Sequence, residues 1–250
     1  MGVVINPPQF RAFTFSVDYY NIRIGNAVSV VPPSITIAQC YFVDQNAASA
    51  ACSGIHRNTL TGSLSGNLQF GVPQVLGNVA VIKTDGVDVS AGYRGGSQSG
   101  FNYAVSFSGT YVRNYKQQSD PTAQVVQCAG RFGSACNLEP IAKWKHVADL
   151  NLGYGQFNLL TRWRYIGKVR EDVGTDILKS RIPAFTYIDE TLSMRINDGM
   201  DLRVGVQNAF DKKSPIVGDT VGADANAGST FPNTYDVIGR TFFAGVSLKF

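Results

Sequence analysis

Apolar and polar residues alternate one by one along this chain, in stretch after stretch from near the first residue to the last. In the tail "GRTFFAGVSLKF" (239–250), Phe242, Ala244, Val246, Leu248 and Phe250 share one parity, and Phe243, Gly245, Ser247 and Lys249 the other. Successive side chains of a strand point to opposite faces, whereas a helix repeats its faces every 3.6 residues. Period 2 therefore demands two-faced strands. Residues 10–24 set Phe13, Phe15, Val17 and Tyr19 against Thr14, Ser16 and Asp18. Residues 83–94 do the same with Val87, Val89, Ala91 and Tyr93, and residues 101–112 with Phe101, Tyr103, Val105, Phe107 and Tyr111. Segments 143–154, 156–167, 185–196 and 200–207 continue the pattern. With the tail, alternation predicts an all-β chain of about eight strands.

The connections alternate too. Short turns fall at 95–100, 153–156 ("GYGQ") and 197–200 ("NDGM"), and long polar connections at about 25–82, 116–142, 168–184 and 211–236. The first long connection is expected to hold a hairpin around 59–70, "TLTGSLSGNLQF". Long structureless loops are uncommon in compact soluble domains. Short turns at one end and long loops at the other are what an outer-membrane barrel shows. No apolar run approaches the ~20 residues of a membrane helix, which leaves a barrel untouched. The start, "MGVVINPPQF", lacks the basic and apolar regions of a signal peptide.

The polar face mixes signs along neighbouring strands: Lys145 with Asp149, Arg162 with Arg164, Asp189 with Arg195, Asp201 with Arg203. That suits a wet, hydrogen-bonded lumen. The apolar face carries Tyr19, Tyr93, Tyr111, Tyr154, Trp163 and Tyr165 near strand ends, as an interfacial girdle does. Charged residues make up only 16% of the chain, against a typical ~25%, so a soluble surface would be thinly charged. Two other readings fit the alternation: a self-contained eight-stranded barrel acting as anchor or small pore, and a soluble β binding module. Closure of the small barrel requires residues 10–24 to pair with 237–250.

Four cysteines fall in two close pairs, Cys40 with Cys52 and Cys128 with Cys136, each in a long connection. Neither pair has zinc-ligand spacing. Two loop disulfides in an oxidising compartment are the expectation, free thiols the alternative. The net charge of +4 is scattered, so no nucleic-acid partner is expected. His56 and His146 are the chain's histidines, and "GGSQSG" and "GSLSG" miss the nucleophile-elbow spacing, so no catalytic residues are expected. The acids of "DTVGADANAG" (219–228) do not match a calcium loop. No cofactor or metal is expected.

Taken in order, "FTFSVDYYNIRI", "KTDGVDVSAGYR", "TRWRYIGKV", "IPAFTYIDETLSMRI", "LRVGVQNAFDKKSP" and "NTYDVIGRTFFAGVSLKF" resemble the C-terminal half of a TonB-dependent outer-membrane receptor. The resemblance covers nearly the whole chain from about residue 10, and its most specific pieces are Asn208–Pro215 and the C-terminal ending. It implies an antiparallel transmembrane β-barrel portion: the last eight strands of a 22-stranded, plugged barrel, with the plug domain and N-terminal strands absent from 1–250. The short turns are then periplasmic and the long loops extracellular. It further implies an outer-membrane location and uptake of a scarce small ligand of the siderophore, vitamin or oligosaccharide class. The implied partners are outer-membrane lipid, the missing plug and N-terminal barrel, the TonB energy-transducing complex reached through the missing N-terminus, and the barrel assembly machinery. That machinery would read the terminal aromatic, with Phe250, Leu248 and Phe242 as the signal. Ligand contacts would come from the long loops, with Tyr41, Phe42, Arg131, Phe132, Phe231 and Tyr235 as candidates. Glu190 departs from the pattern: it shares the register of Ile188 and Leu192, where the family carries an apolar residue. It is expected either to sit near the headgroups or to follow a bulge.

Overall fold

The computed structural model describes residues 1–250 apart from 32, 65–68, 73, 75, 122, 134, 135, 137, 138, 173–178, 219–228 and 250. The chain divides into two compact units, one made of residues 1–22, 84–115 and 127–250 and one of 23–83 and 116–126. The tail's Phe250 and the 219–228 stretch lie outside the described residues.

The alternating segments form strands β1 (Gly2–Ile5), β2 (Phe13–Val30), β3 (Leu76–Gly96), β4 (Phe101–Gln118) and β5 (Val126–Gln127). Then come β6 (Arg131–Phe132), β7 (Trp144–Tyr154), β8 (Phe157–Ile166), β9 (Val169–Glu171) and β10 (Arg181–Ile182). The last three are β11 (Phe185–Asn197), β12 (Met200–Gln207) and β13 (Thr241–Leu248). The main sheet is ordered β1-β2-β3-β4-β7-β8-β11-β12-β13, with β5 on β4, so the long strands neighbour one another in chain order. Every described register in it is antiparallel. A small second sheet, β10-β9-β6, is built from the connections.

Among the described residues β13 pairs only with β12, and the outer edge of β2 carries β1. Residues 10–24 therefore do not pair with the tail, and the eight strands do not close into a small barrel. The four-residue β1, paired as Gly2↔Asp18 to Ile5↔Phe15, was too short to leave a periodic signal.

In the first unit the register sorts the side chains into rows of one character. Tyr103, Leu152, Leu159, Leu192, Val204 and Ala244 form one row across six strands. The next row on that face toward the turn end runs Phe101, Tyr154, Phe157, Met194, Leu202, Val246. Many of these apolar side chains are exposed: Leu192 is 41% exposed, Val246 55% and Tyr154 64%. In a soluble sandwich this face would be the core. Here it is the outside, as lipid requires.

Short turns close the hairpins. Gly155 takes φ +56°, the left-handed value that the two-residue Gly155–Gln156 turn needs between the paired Tyr154 and Phe157. Gly205 solves a different problem. Phe243 sits directly opposite it on the otherwise polar face, and a Cβ at position 205 would come 2.5 Å from the Phe243 ring. The missing side chain lets that ring lie flat on the sheet.

The second unit contains the far ends of β2, β3 and β4 and the connection between β2 and β3. That connection has helix α1 (Pro33–Ala38), a π-helical turn (Gln39–Asp44) and helix α2 (Ala50–Ser53). Such short helices in a polar stretch leave no periodic signal. The expected hairpin near 59–70 appears as one antiparallel bridge, His56↔Gly71, around an Asn58 turn whose side chain accepts from the Leu60 and Thr61 amides, with residues 65–68 outside the described residues.

Candidate functional site

The face opposite the apolar rows is charged, and its charges are joined. Ser106, Asp149, Arg162 and Asp189 occupy one row across β4, β7, β8 and β11. Arg162 grips Asp149 in a two-pronged pair, Nε to Oδ1 at 2.8 Å and Nη2 to Oδ2 at 2.9 Å. Arg164, two residues on and on the same face, holds two carboxylates. Its Nε donates to Asp189 Oδ2 (2.8 Å), while Nη1 and Nη2 donate to the two oxygens of Asp236 (3.0 and 2.6 Å). The planar guanidinium fork makes this double bridge possible, which an ammonium cannot match. The same guanidinium lies 4.8 Å above the Tyr187 ring. Toward β4 and β3 the polar face is laced by Thr110 to Asp88 (2.7 Å) and toward β2 by the Ser16–Ser90 hydroxyl pair (2.7 Å).

The partners are partly those that alternation suggested. Asp149 and Asp189 are on the sheet as expected, but Asp236 comes from the last long connection. Asp201 does not hold Arg203; it lies 4.0 Å from Arg195 and 3.9 Å from Lys249. A strand places residues i and i+2 on one face without turning their side chains toward each other, so shared parity was a poor guide to pairing.

Above this charged wall, at the long-loop end, the connections pack a hydrophobic cluster of their own. Phe132, Val169, Ile182, Phe185, Tyr187 and Val217 are buried in it with Phe231 and Tyr235. Phe132 meets Phe231 edge to face, and Phe185 meets Tyr235 at 4.8 Å. Phe185 and Tyr187 share the parity of Asp189, so this core sits on the polar face of the sheet. Tyr187 accepts the Asp236 amide on its hydroxyl (3.3 Å), and Glu139 ties down Asn233 and Thr234. Among the described residues the Tyr235 hydroxyl has no partner, and burial pushes its phenol pKa up.

This arrangement sorts the loop residues expected to touch ligand. Phe132, Phe231 and Tyr235 are at most 1% exposed and fasten connections to one another, and Tyr235 also borders the cavity below the cluster. Arg131 donates to the Asp172 carbonyl at 3.1 Å. Cys128 and Cys136 form a buried disulfide beside them. A 410 Å³ cavity lies below the cluster, lined by Arg162, Arg164, Asp189, Gln207, Asp236 and Thr241 among others.

Asn208 marks where β12 ends. It takes φ +51°, a left-handed conformation Asn tolerates, and is buried; its amide donates to Asp189 Oδ1 and its side chain clasps both backbone groups of Lys212. Three residues on, Asp211 accepts from the Arg240 amide and from Lys213 Nζ. Those contacts hold its carboxyl below the usual carboxylate range, with the Lys213 bond the larger cause. The "NAFDKKSP" step is thus a clasp between the end of β12 and the start of β13.

In the second unit Tyr41 and Phe42 stand on the π-helical turn, 47% and 78% exposed. Cys40 and Cys52 are bonded, joining that turn to α2. A 580 Å³ cavity opens beside the bridge, lined by Tyr41, Gln45, Asn46, Ile55 and Arg57 together with both cysteines. Arg57 donates to the Gly62 carbonyl (3.0 Å) and makes a long contact to the Tyr41 hydroxyl (3.5 Å).

His146 is stacked among Phe107, Trp163 and Tyr165 and accepts from Trp144 Nε1 at 2.8 Å, while His56 sits in the bridge to Gly71. Glu190 keeps the outward register without a bulge, paired with Thr161 on β8 and Val206 on β12; the register shift lies further on, between Arg195 and Asn197. What accommodates its carboxylate is the Thr161 hydroxyl, which donates at 2.8 Å. The expected bulge is not used; apolar rows flank Glu190 on both sides, that of Ile188 and Trp163 on one and that of Leu192 and Leu159 on the other.

Comparison with known proteins adds a family to this geometry. No curated protein matches the chain. Among solved structures, the copper transporter OprC is 17% identical with a TM-score of 0.53, covering 100% of this chain and 30% of its own. A ferric enterobactin receptor (PfeA) mutant from Pseudomonas aeruginosa is 14% identical with a TM-score of 0.58, again 100% and 30%. The siderophore receptor PirA from Acinetobacter baumannii is 15% identical with a TM-score of 0.54, covering 100% and 31%. At such identities the likeness is one of fold. The chain spans about 30% of the length of these structures. The family described as TonB dependent receptor-like, beta-barrel matches residues 2–209, so this chain belongs to the TonB-dependent receptor β-barrel family.

Proposed function

We propose that the chain forms the last strands of an outer-membrane receptor that takes up a scarce small ligand, of the siderophore, vitamin, oligosaccharide or metal-ion class, at the expense of the TonB energy-transducing complex. The observation that carries this reading is the two-faced sheet. Its apolar rows are exposed, and its opposite face is charged and cross-linked through Asp149–Arg162 and Asp189–Arg164–Asp236. Such a sheet makes sense with lipid on one side and an aqueous lumen on the other. Within the first unit the turns at 153–156 and 197–200 close one end of the sheet, and the loop cluster packs at the other, where a receptor captures its ligand.

The rest of the receptor is assigned the plug and the first strands, against which the charged face would stand. The exposed, outward Phe242 and Leu248 on β13, with Phe250, are assigned to recognition by the barrel assembly machinery.

The test is uptake. A receptor carrying this chain is expressed in a receptor-deficient outer-membrane host and offered labelled ferric siderophores, cobalamin, oligosaccharides and copper in turn. Uptake of one of these that disappears in a TonB-deficient host supports the reading. Uptake that persists without TonB, or recovery of the receptor outside the outer-membrane fraction, overturns it.

A further inference from the structure

We infer that the disulfide-framed cavity of the β2–β3 connection is a binding site for a small aromatic acid. The proposal deepens the receptor reading by naming a ligand class, and it rests on that reading for the source of the ligand. Its support lies within the second unit alone.

The cavity, at 580 Å³, falls within the roughly 300–1,000 Å³ typical of small-molecule sites. Its floor is apolar and braced: the Cys40–Cys52 bridge, with Ile55 beside it. One wall is the half-exposed ring of Tyr41, a flat surface on which another ring can stack. Gln45 and Asn46 also line it, neutral residues with hydrogen-bonding side chains.

Arg57 is the charged group of the lining. Its two hydrogen bonds, to the Gly62 carbonyl and the Tyr41 hydroxyl, occupy part of a five-donor fork. Both bonds go to uncharged oxygens, so among the described residues the cation is oriented but not neutralised. The acid of the π-helical turn, Asp44, accepts from Gln39 Nε2 at 2.6 Å and is not among the residues lining the cavity. A carboxylate is the group that the remaining donors of an oriented guanidinium fit best. A ring face and an apolar bridge beside a guanidinium that, among the described residues, has no carboxylate partner select a ligand that is both aromatic and anionic.

The site is also preorganised. Ser49 caps α2 by accepting the Cys52 amide, Asn58 accepts from Leu60 and Thr61, and His56 exchanges backbone bonds with Gly71. Ordering costs that a floppy loop would incur on binding are largely met before the ligand arrives. By contrast, Phe132, Phe231 and Tyr235 are buried in the first unit's loop cluster, so Tyr41 and Phe42 are the aromatic candidates left with surface to offer.

The experiment is calorimetric titration of the whole chain in detergent with benzoate, benzyl alcohol and acetate as probes. Benzoate is expected to bind saturably with one site, more tightly than either the neutral ring or the ringless acid. Arg57→Gln, which keeps a polar side chain but removes the charge, should weaken benzoate about tenfold, the worth of one charge-assisted hydrogen bond. Tyr41→Ala should weaken it too, and Lys213→Ala should leave it unchanged. Absence of free thiol in each variant verifies that the bridge, and with it the frame, is intact. Benzyl alcohol or acetate binding as tightly as benzoate overturns the proposal, as does no saturable binding by the wild type or equal affinity in Arg57→Gln. Benzoate binding needs no energy coupling. Loss of TonB-dependent uptake would sink the receptor reading and leave this site standing, and the converse also holds.

Discussion

Arg164 shows how much one side chain can organise. It spans from Asp189 on β11 to Asp236 in the last long connection, and its face covers Tyr187. Glu190 is the opposite case, an acid in an apolar row held by one hydroxyl. Leaving a half-buried carboxylate without its donor costs more than never having it, on the order of 1–3 kcal/mol. Thr161→Val is therefore expected to lower stability in lipid by about that amount, whereas Glu190→Leu, alone or with Thr161→Val, should be neutral or stabilising. Urea titration of a lipid-folded receptor carrying this chain measures all three, and an equal loss in Thr161→Val and the double variant would refute the account. Tyr235 gives a prediction in pH. Its folded phenol pKa is raised by burial, so the folded state gains from the neutral phenol fully below the unfolded value of about 10. That stabilisation is lost as pH rises above it toward the folded value. Loosening of the loop cluster, read by near-ultraviolet circular dichroism between about pH 9 and 12, should be shallower in Tyr235→Phe. An unchanged profile would mean that another group titrates there.

At the scale of elements, phase is what the rows decide. Leu192 and Ser193 are neighbours on β11, yet Leu192 lies in the row Leu159–Leu192–Val204 and Ser193 in the row Asn158–Ser193–Arg203. Arginine on the lipid face costs about 2–4 kcal/mol near the membrane midplane, and far less in a wet lumen. Leu192→Arg should therefore cut the yield of heat-modifiable barrel in outer membranes strongly, and Ser193→Arg only slightly; equal losses would invert the assigned faces. The bridged Cys40–Cys52 and Cys128–Cys136 pairs predict no thiol labelling after denaturation without reductant, and a reactive thiol would contradict them. Strand phase was legible in the sequence because period 2 records both neighbours of every residue at once. The extent of β2, β3 and β4 was not, since they run on into the stretches read as loop, to Val30, from Leu76 and to Gln118. The loop cluster was illegible for a different reason. Phe132, Ile182 and Val217 come from three separate connections, and nothing periodic links residues that meet only after the sheet has brought their anchor points together.

For the whole molecule, the place of the hydrophobic surface matters more than its amount. The buried core is a compact loop cluster at one end of the first unit, while Leu159, Trp163, Leu192, Val204, Phe242 and Val246 stay bare along the sheet. Soluble monomers rarely expose a contiguous apolar patch beyond a few hundred Å². The sheet also presents open edges: among the described residues, β13 pairs on one side only and β1 caps the other. Unpaired strand edges are templates for pairing with another chain, and hydrocarbon cannot satisfy their amide and carbonyl groups. Both properties act in the same direction when the chain is taken alone. In buffer it should associate through the apolar face and the edges, giving large, polydisperse particles by light scattering. In detergent the apolar face is covered but the edges are not, so particle size should fall while small edge-paired oligomers persist. Lysine substitutions at Thr241 and Ser247, which place charge along the free edge of β13, should dissolve those oligomers without altering the need for detergent, because edge charge blocks strand addition and leaves the face as it was. A monodisperse species in detergent-free buffer would show that the apolar rows are covered from within the chain, and the lipid-facing assignment would fall with that result.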